Sequence, residues 1–275
     1  MKNLIENIGN LYRTKYDKNI SIYDDTFLKQ SLHSRMNFSN CDNYLDYFNL
    51  INSSESESVA FLNSLNNSYS EFFRNPLTFA LLEQHLLPMI LQNKNNYKTG
   101  DLRIWSAGCS IGQEPYSLAI LLEDIFQENR DNLSYRIFAT DISTNELSIA
   151  KTGIYDYNSV KNIKFSHINN YFSRKNESYT IADKIKNHVD FSYYNLLDAE
   201  SSSPSASIYG DFDLVICCNV LFYYKPEIQE FIISKIRRSL KPKGYFITGE
   251  AETAIVKSFK GFKQYVPITP IFVKT

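Results

Sequence analysis

The sequence predicts an α/β protein in which a parallel sheet is covered by helices on both faces. From about residue 100 onward, short apolar runs alternate with amphipathic stretches, as is typical of parallel strands joined by crossover helices. A polar segment with helical periodicity precedes this region, and the alternation breaks between about 153 and 198. We therefore expect a small all-α N-terminal domain over residues 1–75. A sheet domain over residues 76–275 would follow, with an inserted antiparallel β-subdomain.

Composition narrows the class of protein. The 275 residues contain 29 Lys and Arg against 30 Asp and Glu, so the charge balance does not indicate a nucleic-acid partner. No window is apolar enough to span a bilayer, and the first residues lack a signal-peptide core, so we expect no membrane insertion. The four histidines are scattered, and the cysteine spacing fits no zinc site. We expect a reduced, cytoplasmic protein without a bound metal.

In the N-terminal domain, apolar residues recur at helical spacing. The stretch YDDTFLKQSLHSRM places four of them on one face: Phe27, Leu28, Leu32 and Met36. Asn75 and Pro76 indicate the start of a further helix, with Asn75 as the N-cap and Pro76 at the first helical position.

The sheet domain carries strand and helix signals in turn. The predicted strands are 102–106, 136–140, 214–218 and 245–248, and the predicted helices are 114–126, 145–151 and 227–240. The last segment, YVPITPIFVK, has the composition of a strand but contains two prolines. We therefore expect it at a sheet edge or a bulge.

A loop with two glycines follows the first predicted strand, in IWSAGCSIGQEPYSLAI (104–120). Gly108 and Gly112 permit a sharp turn and the close approach of a ligand, and ligands of open α/β sheets bind beyond the carboxyl ends of the strands. Glu114 occupies the first turn of the following helix, where its charge would repel a phosphate, and there is no Gly-Lys-Ser/Thr motif. The loop therefore predicts a ligand without phosphate groups.

Asp141 stands at the end of the second predicted strand. A carboxylate at that position can accept hydrogen bonds from both hydroxyls of a ribose. The alternative is an ordinary N-terminal cap of the next helix. A ribose without phosphates, in an α/β domain, indicates S-adenosylmethionine as the cofactor and S-adenosylhomocysteine as the product.

Five sequence blocks then resemble those of a known family, and a sixth near the C-terminus supports them. They are EFFRNP (71–76), RIWSAGCSIGQEPYSLAILL (103–122), ATDISTNELSIAKTGIY (139–155), YNLL (194–197), FDLVICCNVLFYY (212–224) and GYFITGEAE (244–252). Together they resemble the CheR-type protein-glutamate O-methyltransferases, which esterify glutamate side chains of chemotaxis receptors. The resemblance implies a Rossmann-like class I methyltransferase sheet. It also implies a protein substrate, the cytoplasmic region of a chemoreceptor.

The resemblance further implies the site residues. Arg74 would reach the cofactor and the substrate carboxylate, and Tyr223 would lie beside the reacting groups. The implied cofactor contacts are Ser68, Ser70, Arg74, Gly108, Cys109, Glu114, Asp141, Asn195, Leu196, Cys217, Cys218 and Asn219. Methyl transfer to an ionised carboxylate requires alignment and exclusion of water but no general base, so this set needs no catalytic histidine.

Residue chemistry alone leaves plainer alternatives open. Arg74 could be a surface residue beside two buried aromatics, Tyr223 a packing residue, and Glu114 a favourable acid in a first helical turn. Cys109 has no base partner in the sequence and is interpreted as a small loop residue rather than a nucleophile.

The sequence also departs from the family pattern. Ser68 and Ser70 stand where the family has Asn and Thr, and Cys218 replaces a basic residue. The first 75 residues contain seven basic and nine acidic side chains, which would steer an acidic receptor poorly. Three hypotheses therefore remain open: a receptor methyltransferase, a methyltransferase for another protein or small molecule, and a non-catalytic S-adenosylmethionine-binding module.

Overall fold

The computed structural model describes residues 2–66, 69–97, 100–129, 134–207 and 210–275. The chain forms two compact units. The first comprises Met1–Asn67 and Phe222–Gln229, and the second comprises Ser68–Leu221 and Glu230–Thr275. The first unit is helical and the second contains the sheet, which confirms the predicted fold class. No helix in the described ranges is both long and apolar enough to cross a membrane.

Four helices build most of the first unit: α1 (Lys2–Tyr16), α2 (Asp25–Phe38), α3 (Tyr44–Ser53) and α4 (Glu55–Ser64). Their starts are set by side-chain caps, since Asp24, Asn43 and Ser54 accept hydrogen bonds from backbone amides of α2, α3 and α4. Three residues of the predicted apolar face of α2, Leu28, Leu32 and Met36, are buried in the core of this unit; Phe27 is half-buried.

The second unit begins with a helix of three parts: α5 (Pro76–Leu81), a π-helical turn (Leu82–Leu86) and α6 (Leu87–Tyr97). Pro76 occupies the first helical position, as predicted. Asn75 occupies the predicted N-cap position, but it does not cap the helix through its side chain. Asn75 has a left-handed backbone, with φ 62°, whereas an N-cap residue normally has an extended one, and its side chain makes no capping hydrogen bond.

The remaining helices connect or follow the strands. They are α7 (Gln113–Asn129), α8 (Thr144–Thr152), α9 (Tyr157–Val160), α10 (Phe165–Tyr171), α11 (Asp183–Lys186), α12 (Pro226–Ser239) and α13 (Thr253–Ser258). The strands are β1 (Leu102–Ala107), β2 (Tyr135–Asp141), β3 (Ile154–Asp156), β4 (Phe172–Lys175), β5 (Ser178–Ile181), β6 (Val189–Tyr193), β7 (Phe212–Cys217), β8 (Leu240–Thr248), β9 (Phe262–Gln264) and β10 (Ile271–Lys274).

The main sheet has the strand order β6-β2-β1-β7-β8-β10-β9. Its first five strands are parallel, and β10 is antiparallel to both β8 and β9. Every residue of β7 is buried, as expected for a parallel strand covered on both faces. Chain order reverses between β1 and β7, which are neighbours, so the carboxyl ends of these strands define the expected ligand crevice.

The inserted subdomain is a three-stranded antiparallel sheet of order β3-β5-β4, as predicted. It is shorter than the expected range of 153–198, because β6 pairs with β2 in the main sheet. The expectation that the last strand lies at an edge or bulge is wrong, since β10 lies between β8 and β9. Both prolines precede this strand and remove no amide from its ladder. The Pro270 carbonyl accepts a hydrogen bond from the Thr248 amide at 3.0 Å.

Candidate active site

The loop between β1 and α7 turns at its two glycines. Gly108 and Gly112 have φ of 81° and 90°, and a Cβ on Gly108 would lie 2.8 Å from Cγ2 of Val220. The amides of Gly108 and Cys109 both donate to the Thr140 carbonyl, at 2.8 and 2.9 Å. The loop is thereby held against the carboxyl end of β2, and only a residue without a side chain fits at the first turn.

Asp141 links the loops that follow β1 and β2. Its Oδ2 accepts a hydrogen bond from the Ser110 amide at 2.8 Å, and its Oδ1 accepts one from the Ser143 amide at 2.9 Å. The N-cap of α8 is Ser143, whose Oγ accepts from the Glu146 amide, so the alternative that Asp141 caps this helix is wrong. A carboxylate oxygen can accept more than one hydrogen bond, and Asp141 retains the capacity to bind ribose hydroxyls.

Glu114 lies in the first turn of α7 and points into the same region. Its Oε1 accepts a hydrogen bond from Ser106 Oγ at 2.7 Å, and the Cys218 thiol is a second donor. Burial raises the pKa of Glu114 to about 7, while Ser106, Cys218 and the charge of Arg74 act in the opposite direction. This carboxyl therefore changes between its protonated and ionised forms near neutral pH, and a bound cation would favour the ionised form.

Arg74 lies in the irregular segment before α5. Its Nη1 donates to the Tyr69 carbonyl at 3.1 Å, and its guanidinium carbon lies 5.2 Å from the centroid of the Tyr69 ring. The positive charge of Arg74 acts to lower the pKa of Glu114. Ser70, in the same segment, is half-buried. Ser68 lies outside the described residues.

The chain after β7 forms another wall of the region. Cys217 is fully buried, and Asn219 has φ 60°. The Asn219 amide donates a hydrogen bond to Glu252 Oε2 at 3.0 Å. Glu252 also accepts from the amides of Leu221 and Gly249, at 2.6 and 2.8 Å. Glu252 therefore fixes this turn, a role that was not predicted from the sequence. The available signal was an acid four residues after the end of the last parallel strand, β8.

Burial controls the chemistry of the three cysteines near the site. It raises the pKa values of the Cys109, Cys217 and Cys218 thiols well above their ordinary range, and nearby carboxylates act in the same direction. The thiols therefore stay protonated near neutral pH. This agrees with the interpretation of Cys109 as a small loop residue, and it leaves Cys218 as a hydrogen-bond donor where the family pattern has a cation.

Asn195 and Leu196 form a turn directly after β6. Asn195 Oδ1 accepts a hydrogen bond from the Leu197 amide at 2.9 Å. The preceding residue, Tyr194, donates its amide to the Asp141 carbonyl at 3.1 Å. The structure thus brings the turn beside Asp141, although the two positions are far apart in sequence.

Tyr223 belongs to the helical unit. It ends a short 3₁₀ turn (Leu221–Tyr223), its ring centroid lies 4.7 Å from that of Phe27, and its carbonyl accepts a hydrogen bond from the Asp24 amide at 2.8 Å. Its predicted position beside the reacting groups stays a prediction.

Three buried side-chain atoms at the carboxyl edge of the sheet unit have no hydrogen-bond partner among the described residues. They are Gln113 Oε1, Ser192 Oγ and Asn219 Oδ1. They lie at the start of α7 and at or just beyond the carboxyl ends of β6 and β7, close in sequence to the residues discussed above. Buried polar atoms are normally satisfied, so unpaired acceptors at this edge of the sheet fit a ligand that carries hydroxyl and ammonium donors. The residues present therefore fit S-adenosylmethionine.

Comparison with known proteins identifies the family. Residues 68–269 match the family described as CheR methyltransferase, SAM binding domain. The chain belongs to the CheR methyltransferase family. This CheR-family chain is a methyltransferase that uses S-adenosylmethionine, as the sequence predicted.

The relatives of this CheR-family chain include two bacterial proteins named chemotaxis protein methyltransferase. The protein from Borreliella burgdorferi is 28% identical over 91% of this chain and 87% of its own length. The protein from Escherichia coli is 32% identical over 75% of this chain and 68% of its own length.

Among solved structures, the chain is similar to magnesium protoporphyrin IX methyltransferase from Synechocystis PCC 6803 with bound SAM. The TM-score is 0.36 and the identity 15%, over 82% of this chain and 94% of that chain.

Proposed function

We propose that this CheR-family enzyme transfers the methyl group of S-adenosylmethionine to glutamate side-chain carboxylates of a protein, a chemotaxis receptor. The observation that carries the proposal is the attachment of the Arg74 segment to the helix that bears Glu114: the amide of Phe73, the residue before Arg74, donates to Ser117 of α7, one turn after Glu114. This arrangement supplies a cation and an acid at the cofactor loop. The acid suits the positive charge of the cofactor and the cation suits a carboxylate acceptor. The names of the relatives support chemotaxis as the setting.

The cofactor, when bound, supplies an electrophilic methyl group on its sulfonium. Asp141 accepts the ribose hydroxyls through the free acceptor capacity of its two oxygens. Glu114 and the unpaired Asn219 Oδ1 accept hydrogen bonds from the ammonium group. Each of these roles matches an acceptor to a donor of the ligand.

Arg74 orients the acceptor. A glutamate side chain is ionised near neutral pH, so the enzyme needs to remove no proton from it. The planar guanidinium can bind a carboxylate through two parallel hydrogen bonds and hold one oxygen in line with the methyl carbon. Tyr223 supplies a hydroxyl to the second oxygen, a role that rests on the family resemblance.

A second candidate is methylation of a protein that is not strongly acidic. Arg35, one of the two Lys and Arg residues of α2, forms an ion pair with Glu57 at 2.6 Å, and Tyr47 donates to the same carboxylate at 2.8 Å. A paired arginine attracts an acidic partner weakly. The helical unit therefore presents less positive charge than its sequence contains.

One labelling experiment separates the hypotheses. The protein is incubated with S-adenosylmethionine labelled in the methyl group and with membranes that contain candidate receptors. Base-labile label on a receptor, released as methanol, is the expected result. Base-labile label on another protein would favour the second candidate. Cofactor binding by calorimetry without any labelled acceptor would indicate a non-catalytic module and contradict the proposed function.

A further inference from the structure

The segment that carries Arg74 has an unusual backbone. Phe73 and Asn75, on either side of Arg74, have φ of 53° and 62°. The left-handed region is uncommon for residues other than glycine and is least expected for a bulky aromatic. Such a conformation persists only where the surrounding structure holds it. Specific contacts must therefore fix the backbone at Phe73.

One of these contacts is a hydrogen bond from α7. The Phe73 amide donates to Ser117 Oγ at 2.9 Å, and the Ser117 hydroxyl donates in turn to the Gln113 carbonyl at 2.7 Å. Ser117 is fully buried. Its hydroxyl therefore both accepts and donates a hydrogen bond at a position that is shielded from solvent.

Ring contacts complete the arrangement. The Phe73 ring stacks on His167, with centroids 5.3 Å apart, and meets Phe79 edge-on at 5.4 Å. His167 is itself fixed, because its Nε2 lies 2.8 Å from Asp124 Oδ2 of α7. The preceding residue, Phe72, packs on an aromatic ring of the inserted subdomain, Tyr155, at 4.9 Å. The segment is thus held between α7 and the inserted subdomain.

We infer that Ser117 is a positioning residue for methyl transfer: its hydroxyl fixes the left-handed turn at Phe73. Because Ser117 lies one turn after Glu114 on α7, this contact holds Arg74 beside the part of α7 that bears Glu114, where it can meet the acceptor carboxylate. The role of Arg74 toward the acceptor carboxylate rests on the proposed function, whereas its role toward Glu114 does not. Ser117 is the last residue of the segment EPYS (114–117), and the family resemblance assigned it no role.

A purely structural role for Ser117 makes a different prediction. Arg74, Ser106 and Cys218 act to lower the pKa of Glu114, and Glu252 acts to raise it. Of these, only Arg74 lies on the segment that Ser117 holds. If Ser117 acts through Arg74, loss of its hydroxyl raises the pKa of Glu114; if it only supports the fold, stability falls and this pKa does not move.

Binding of S-adenosylhomocysteine, measured by calorimetry from pH 5.5 to 8.5, tests the inference without any acceptor. We compare the wild type with S117A, R74Q and the double variant S117A/R74Q. R74Q should move the pH midpoint of binding upward by about one unit, the low end of what loss of a neighbouring opposite charge produces. S117A should move it in the same direction, and the double variant should match R74Q alone.

Ser148→Ala is the matched control. Ser148 makes the same type of hydrogen bond to the carbonyl four residues earlier, on the exposed face of α8, and its loss should leave the midpoint unchanged. Alanine is a good helix former, so S117A should fold. S117C, which keeps a weak sulfur acceptor, should lie between wild type and S117A and serves if S117A is too unstable to measure.

An unchanged pH midpoint of binding in S117A would overturn the inference. If S117A is too unstable to measure, an unchanged midpoint in S117C would do so. So would an S117A/R74Q midpoint shifted by the sum of the two single shifts. If the midpoints move as expected but no glutamate is ever methylated, the proposed acceptor is wrong and the positioning role of Ser117 stands.

Discussion

Glu114 shows how one residue can oppose folding and support binding. Burial raises its pKa from 4.5 to about 7 in the folded protein. Because the raised value belongs to an acid, the folded state holds a proton that the unfolded state releases. The stability associated with that proton is present below pH 4.5 and is lost as the pH rises through 7.

Glu114→Gln should therefore stabilise the cofactor-free protein above pH 7. Glutamine has no charge to bury and can still accept the Ser106 hydrogen bond. The gain should reach up to about 3 kcal/mol at pH 8, the equivalent of the pKa shift, and should vanish below about pH 4.5. Urea unfolding at several pH values measures it. The control Glu230→Gln, on an exposed part of α12, should show no such gain, and an equal gain in both variants would contradict the assignment.

The same carboxyl should make cofactor binding dependent on pH. A cation binds better to ionised than to protonated Glu114, so affinity for S-adenosylmethionine should rise as the pH increases from about 5.5 to 7.5, and binding below pH 7 should release a proton. Calorimetry in buffers of different ionisation enthalpy counts the protons. Glu114→Gln should abolish the release and weaken binding by roughly 10- to 100-fold, the usual range for a lost hydrogen bond to a charged group.

Substitution of Asp141 should weaken cofactor binding, whereas substitution of Tyr223 should slow methyl transfer. Asp141→Ala should weaken cofactor binding at least tenfold, since it removes the ribose acceptor and two loop hydrogen bonds. Tyr223→Phe should lower the rate of methyl transfer and leave cofactor affinity intact. Calorimetry and labelling rates measure the two effects. Equal losses of affinity in both variants would show that Tyr223 has been assigned the wrong role.

At the scale of elements, α12 supports the turn after β6. Lys235 is fully buried in α12; its Nζ donates to the Tyr194 hydroxyl at 3.2 Å and to the Asp198 carbonyl. Burial lowers the pKa of this lysine. These two contacts enclose Asn195 and Leu196, so the helix fixes the turn predicted to bind cofactor.

Lys235→Met should loosen this turn. The side-chain volume is nearly kept, but two hydrogen bonds from a charged donor are lost, so we expect a cost in the range of about 1–3 kcal/mol and weaker cofactor binding. Thermal unfolding and calorimetry measure both. Lys257→Met, on an exposed position of α13, is the control. Normal affinity in the Lys235 variant would show that the turn does not depend on α12.

The elements of the sheet were predictable because apolar periodicity is local. The strands ending at Ala107, Asp141 and Cys217 fall within one or two residues of the predicted bounds. Local patterns cannot predict contacts between residues that are far apart in the sequence. Ser117 meets Phe73 across 44 positions, and neither residue carries a signal of that contact. The short strand β6 was also missed, since its pattern of apolar residues matches the inserted subdomain around it.

At the scale of the whole molecule, the charge balance should make acceptor methylation insensitive to salt. The chain has a formal net charge of −1, and Arg35 is already paired with Glu57. Electrostatic steering falls steeply with ionic strength where it operates. We therefore expect the rate of acceptor labelling at low acceptor concentration to change by less than about threefold between 50 and 300 mM salt, since steering is weak.

A charged variant provides the comparison. Asp42→Lys combined with Glu55→Lys adds positive charge at two exposed positions of the helical unit. With an acidic receptor as acceptor, this variant should label faster at low salt and lose the advantage at high salt. A wild-type rate that falls steeply with salt would show that the acceptor is recognised through charges not accounted for in the helical unit.

The composition of the helical unit has a consequence for biosynthesis. Phe222–Gln229 is part of this unit, and its backbone pairs with the chain near Tyr23, where the Asp24 amide donates to the Tyr223 carbonyl and the Lys225 amide to the Ile22 carbonyl. A ribosome that has released residue 67 must still add about 160 residues, roughly 10–30 s of synthesis, before this segment emerges. During synthesis, the first helices therefore lack one segment of their unit until residues 222–229 have been made.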